Sequence, residues 1–144
     1  TIASLLACLP YKPFMIKPNQ HEVEELFGVN IQTQDEIIHY AFQLQKKGAC
    51  NVLVSCGSEG AFLVSETGEV FASNVPTGKL INSVGAGDSM LAAFMAKFIE
   101  TSDYQESLKQ GAAAGSATAF SIGVATKTII NTLLSKIEIR KIQH

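Results

Sequence analysis

Charge is what this sequence has least of. Asp, Glu, Lys and Arg make up 17% of its 144 residues, against about 25% in an average soluble domain. Much of the chain is therefore built to lie inside something. The formal net charge is −2, and no run of Lys and Arg exceeds two residues. A nucleic-acid groove or a polybasic membrane anchor needs clustered cations, so neither partner class has support. Cysteine is scarce and odd in number. Cys8, Cys50 and Cys56 show neither a CxxC nor a metal-ligand spacing, which reads as reduced, buried thiols in a cytoplasmic protein. Long apolar runs are missing too. The longest uncharged stretch, Gln110 to Thr126, has 17 residues broken by Gly, Ser and Thr, too short and too polar to cross a bilayer. The start shows no charged, apolar and small-residue succession of a secretory signal. It is Thr1 rather than Met, so the expectation is a processed chain or the later part of a longer protein.

What is present is core material. Leu, Ile, Val and Phe supply 42 of the 144 residues, above the fraction of about 20% below which chains stay disordered. The periodicities alternate between strand and helix, without repeats or low-complexity segments. Pro13 to Lys17 reads as a buried strand and His21 to Phe27 as a short helix stopped by Gly28. Gln34 to Lys47 reads as a helix, Asn51 to Ser55 as a central strand, and Ala61 to Ser65 with Glu69 to Ala72 as a meander. Lys79 to Ile81 is a further short strand. Three helices follow, at Ala86 to Ile99, Tyr104 to Phe120 and Thr128 to Ser135. The first of these is apolar on nearly all sides and is expected to be buried. Ile137, Ile139 and Ile142 point to a last strand. This alternation predicts an α/β layer fold, with residues 1–144 as one domain or part of one.

Three strings carry chemistry. Asn82-Ser83-Val84-Gly85-Ala86-Gly87-Asp88 runs straight into an apolar helix. Small residues at a helix start let a ligand approach the backbone, where free N–H groups and the helix dipole favour an anion such as a phosphoryl group. Asp88 has two readings, a good first-turn residue or a base that takes the proton from an attacking hydroxyl. Lys17-Pro18-Asn19-Gln20-His21-Glu22 likewise has two. Asn19 with Glu22 makes a capping box. A lysine at the carboxyl end of a strand also stands where α/β proteins bind phosphates, and Glu22 could hold Mg²⁺ through water. The third string, Ser55-Cys56-Gly57-Ser58-Glu59-Gly60, is a strand-to-turn loop with two glycines, by itself no more than a hairpin signal.

In this order the strings resemble the C-terminal half of a pfkB carbohydrate kinase, of the ribokinase-like family. They are most similar to the branch of 1-phosphofructokinase, tagatose-6-phosphate kinase and the minor 6-phosphofructokinase. Asn82 to Phe94 fits the family's C-terminal signature, Lys17 to Glu22 fits the Lys-Pro-Asn-x-x-Glu of the phosphosugar branch, and Gly111 to Phe120 is similar to that branch as well. The resemblance implies a three-layer α/β sandwich of which this chain is the ATP-binding portion. It implies a kinase that transfers the γ-phosphoryl of MgATP to a hydroxyl of a ketohexose phosphate. Asp88 would be the base and Gly85, Ala86 and Gly87 the anion hole. Lys17 and Asn19 would meet ATP phosphates, with Glu22 in the Mg²⁺ network. Ser55, Cys56, Gly57, Ser58, Glu59 and Gly60 would hold the nucleotide, and Ala112 and Ser116 would line the adenine pocket. Asn82, Val84, Thr118, Ser121 and Gly123 match a monovalent-cation site for K⁺, although Asn82 stands where ribokinases often carry aspartate. A cytoplasmic homodimer is implied for the complete enzyme. The sugar-binding residues and the β-lid of the family fall outside the match, so the isolated chain is expected to be inactive. A kinase of an unphosphorylated sugar or nucleoside, or a non-catalytic nucleotide-binding module, are the alternatives; Lys17 speaks against the first and Asp88 against the second.

Overall fold

The structure is a computed structural model that describes residues 2–76, 85–119 and 127–143. The strand expected at Lys79 to Ile81 lies outside the described residues. Two prolines bracket the first strand. Pro13 and Pro18 have no N–H to give a ladder, and β1 shrinks to Met15–Ile16 between them. A helix that the sequence did not announce, α1 (Ile2–Cys8), precedes it, followed by a 3₁₀ turn at Leu9–Tyr11. Then come α2 (Gln20–Phe27), α3 (Gln34–Lys46), β2 (Asn51–Ser55), β3 (Ala61–Val64) and β4 (Val70–Ser73). The helices α4 (Ala86–Thr101), α5 (Tyr104–Ala119) and α6 (Lys127–Leu134) lead to β5 (Ile139–Ile142). The strands form one sheet in the order β1-β2-β3-β4-β5. β1 is parallel to β2, pairing Met15 with Asn51, and β2 is antiparallel to β3, pairing Leu53 with Leu63. Strands and helices together give the expected α/β class, with a mixed sheet.

The chain forms two compact units. One comprises Thr1–Cys56, Ala61–Ala72 and Lys141–His144, the other Gly57–Gly60 and Ser73–Arg140. The first holds the larger core, with Ile16, Val23, Ile37, Leu44, Val52, Val54 and Val64 in one buried cluster. β2 and β3 are apolar on both faces, as strands covered on both sides must be. Buried Asn51 ties this core together. Its Nδ2 donates to the carbonyl of Phe14 at 2.8 Å and its Oδ1 accepts from the amide of Glu66 at 2.7 Å. Without those partners a buried amide would be costly.

In the second unit α4 and α5 form a helical hairpin. Asp103 caps α5 by accepting from the amide of Glu106 at 3.1 Å, and Phe98 and Tyr104 meet across the turn with ring centroids 4.7 Å apart. On α5, Gly111 and Gly115 lie against Met90, Phe94 and the Ala86 carbonyl. Ala112, Ala113 and Ala117 pack with Leu133 and Ile137. The expected burial of α4 on nearly all sides is corrected here. Only Phe94 is fully buried and Ile99 is 80% exposed, because α5 covers one face of a helix whose composition is apolar all round. Among the described residues no helix is long and apolar enough to cross a membrane, and Cys8, Cys50 and Cys56 are all unlinked.

Candidate functional site

In the first unit, two of the three strings are brought together at the carboxyl ends of β1 and β2. The amide of Ser55 donates to the carbonyl of Pro18 at 3.1 Å, and Asn19 and Ser55 form a parallel bridge. Parallel strands end here, and the loops that follow are where open α/β sheets bind ligands. Lys17 is half-buried between the buried Ile16 and Pro18. The capping box is fully made. The amide of Glu22 donates to Asn19 Oδ1 at 2.8 Å, and the amide of Asn19 donates to Glu22 Oε1 at 3.0 Å. Only one oxygen of Glu22 is spent on the cap. Among the described residues no group of three or more His, Cys, Asp or Glu side chains is placed to hold a metal. A single carboxylate whose second oxygen has no partner among the described residues fits Mg²⁺ held chiefly by phosphates and water, which is this ion's usual mode.

After Ser55 and the buried Cys56 the chain makes a 3₁₀ turn at Gly57–Glu59. In the second unit, the amide of Gly60 donates to the carbonyl of Gly57 at 3.1 Å. Gly60 has φ +93°, and a Cβ there would collide with the carbonyl of Ser73. Only glycine fits on both grounds. Ser58 and Glu59 are exposed at the tip. Ser73 itself is 5% exposed, and its hydroxyl has no hydrogen-bond partner among the described residues. Such an unpaired buried hydroxyl is uncommon. Sequence reasoning missed it, since a serine at a strand end carries no distinguishing signal.

The third string also lies in the second unit. Gly85, at φ +83°, is the N-cap of α4, and the first helical bond runs from the amide of Ser89 to its carbonyl at 2.9 Å. The amides of Ala86, Gly87 and Asp88 thus precede the first intrahelical bond and have no acceptor within the helix. Asp88 stands at the third helical position, exposed. These N–H groups are what an anion needs. The site is set by α5. A Cβ on Gly115 would lie 3.2 Å from the carbonyl oxygen of Ala86, so the glycine lets α4 approach this closely. Thr118 Oγ1 lies 2.8 Å from Ser89 Oγ. Ala112 is 3% exposed inside the α5–α6 cluster, and Ser116 is half-buried one turn further along. Of the expected cation-site residues, Thr118 is described, while Asn82, Val84, Ser121 and Gly123 lie outside the described residues.

Residues 2–131 match the model of the pfkB family carbohydrate kinase. The chain is 40% identical over 139 residues to the 1-phosphofructokinase of Bacillus subtilis, covering 96% of this chain and 46% of that protein. It is 38% identical over 136 residues to the D-tagatose-1-phosphate kinase of Bacillus licheniformis, covering 94% and 44%. The structure of phosphofructokinase-2 from Escherichia coli with substrates and products superposes with a TM-score of 0.86 at 28% identity, covering 94% of this chain and 45% of that one. That protein has also been solved with potassium and in a tetrameric inhibited form. The chain spans less than half the length of each of these relatives. On the match over residues 2–131, the chain belongs to the pfkB family of carbohydrate kinases, with the ribokinase-like α/β fold.

Proposed function

We propose that this chain is the ATP-binding and catalytic part of a ketohexose-phosphate kinase. The observation that carries the reading is the first turn of α4, where Asp88 follows directly on backbone N–H groups without helical acceptors. A γ-phosphoryl group seated on those donors would lie within reach of the carboxylate. The C6 hydroxyl of a ketohexose 1-phosphate would attack it, Asp88 would take the hydroxyl proton, and the N–H groups would stabilise the charge that develops on the transferring oxygens. Lys17 and the Ser55–Gly60 loop would hold the nucleotide's phosphates, and Ser116, one turn beyond the buried Ala112, would face the adenine. Glu22 would help to hold Mg²⁺ through water, and the ion would neutralise charge on the phosphates. Asn82, Val84, Thr118, Ser121 and Gly123 would provide for K⁺, a reading supported by the potassium complex of the Escherichia coli relative. A homodimer in the cytoplasm belongs to the same proposal.

The choice of a 1-phosphate rests on the names of the two Bacillus relatives, a 1-phosphofructokinase and a D-tagatose-1-phosphate kinase. A coupled assay of ADP release by the whole protein tests it. Fructose 1-phosphate and tagatose 1-phosphate should be turned over faster than fructose 6-phosphate, tagatose 6-phosphate or free fructose. Preference for a 6-phosphate would move the reading to the tagatose-6-phosphate kinase type, and preference for free fructose would overturn the phosphosugar class.

A further inference from the structure

The exposed carboxylate of Asp88 makes no side-chain hydrogen bond or ion pair among the described residues. Its position is therefore set by the backbone turn that carries it. Two hydroxyls hold that turn. Thr118 Oγ1 lies 2.8 Å from Ser89 Oγ and 3.0 Å from the carbonyl oxygen of Ala114. A carbonyl only accepts, and a threonine hydroxyl has a single proton to give. Thr118 shares that proton between Ser89 Oγ and the carbonyl of Ala114. Thr118 is thus anchored on α5 at a position 8% exposed, and Ser89 is the group being held. Ser89 is held at its backbone as well, because its amide donates to the carbonyl of Gly85 at 2.9 Å. The residues between those two points are Ala86, Gly87 and Asp88. Three residues before Thr118, Gly115 lies against the carbonyl of Ala86. α5 thus grips the turn near its start by contact and at its end by a hydrogen bond.

We propose that Thr118, acting through Ser89, is a positioning residue for phosphoryl transfer that keeps Asp88 and the turn's N–H groups aligned on the phosphoryl group. This rests on the reading of Asp88 as the base. It differs from the part in a cation site that family resemblance implies for Thr118, because its partner is Ser89 on α4.

The test uses the whole protein, with kcat expressed per nucleotide-binding site as counted by ADP titration. Thr118→Val keeps the shape and removes the donor, and Ser89→Ala removes the acceptor. Each should lower kcat by roughly 5-fold, the cost of one neutral hydrogen bond, with the KM for ATP unchanged. Thr118→Ser should restore kcat. The double variant should be no slower than either single one, since both break the same bond. A bond of merely structural value would lower the melting temperature and the number of competent sites while leaving kcat per site intact, and that result overturns the proposal. Fully additive losses in the double variant overturn it too. If Thr118→Val does not fold, Ser89→Ala decides alone. Asp88→Asn, run alongside, separates the two claims. Near-normal turnover there removes the base assignment itself, whereas its collapse beside an undiminished Thr118→Val removes only the positioning role.

Discussion

The amide of Ser55 donates to the carbonyl of Pro18 at 3.1 Å, so the lysine string and the glycine loop start from one backbone junction. Lys17 is the residue just before that junction. Its neighbours Ile16 and Pro18 are buried, and the backbone on either side is held by β1 pairing and by the Ser55 bond. Lys17→Ala should therefore leave the fold within about 0.5 kcal/mol of wild type, as ordinary surface substitutions do. Its effect should fall on phosphate use. A lysine acts on phosphate as a point charge and does not read a base, so turnover should drop and ATP binding weaken more than binding of adenosine. Isothermal titration and steady-state kinetics check this. Unchanged ATP binding together with normal turnover would make Lys17 a lysine that only borders a cap.

Asn19 and Glu22 separate structure from chemistry in the same string. Asn19→Ala removes the side-chain acceptor for the amide of Glu22 and should cost about 1 kcal/mol of stability, the usual value of an N-cap. Glu22→Gln keeps an oxygen that can accept from the amide of Asn19, since Glu and Gln both serve at this position of a capping box. It removes the charge. If Glu22 works through Mg²⁺, the variant should melt near wild type yet need more Mg²⁺ for half-maximal turnover. An unchanged Mg²⁺ requirement would leave Glu22 with its cap alone.

Asp88→Asn should bind ADP normally and lose at least about 10²-fold in kcat, the low end for removal of a general base. The prediction rests on its place at the third helical position beyond Gly85. Asparagine there preserves size and helix-start character but cannot accept the proton. Rapid-quench or coupled assays on the whole protein would measure it, and a variant with near-normal kcat ends the assignment.

These residues also show what the sequence could reveal. Local signals were legible where the physics is local. The capping box of α2 and the bounds of β2 follow from residues within one turn or strand of each other. β1 is shorter than Pro13 to Lys17 promised, because prolines at both ends withhold N–H donors. α1 gave no signal: Ile2–Cys8 has no acidic residue in its first turn and no basic residue in its last. For α4, apolar composition could not say which face would be covered, and only packing against Gly111 and Gly115 decided that Phe94 goes inside. The site divides the same way. Gly85 to Asp88 is a contiguous string, so its place at a helix start is legible directly. The hydrogen bond between Ser89 and Thr118 joins residues 29 apart and depends on how two helices cross, which no local pattern encodes.

The pair Glu69 and Lys141 gives a dependence on pH. Lys141 Nζ donates to Glu69 Oε2 at 2.8 Å, and Thr67 Oγ1 donates to Oε1 at 3.0 Å. The hydrogen bond from Lys141, then that from Thr67, hold the carboxyl below its ordinary value of 4.5. A carboxyl depressed in the folded state binds fewer protons there than in the unfolded chain, so stability rises with pH across the gap between the two values. The contribution of Glu69 is fully present above the ordinary value of 4.5. It is lost as pH falls through the lower, folded-state value. Lys141→Met keeps the stem and removes the charge, so the titration midpoint of Glu69 should move up toward the ordinary value. The difference in urea midpoint between wild type and variant should be visible at neutral pH and vanish in strong acid. Salt should shrink it, because the pair is exposed and screened. Carboxyl NMR titration of the two proteins measures the shift directly, and a Glu69 midpoint unmoved by Lys141→Met would show that the ion pair does not govern this carboxyl.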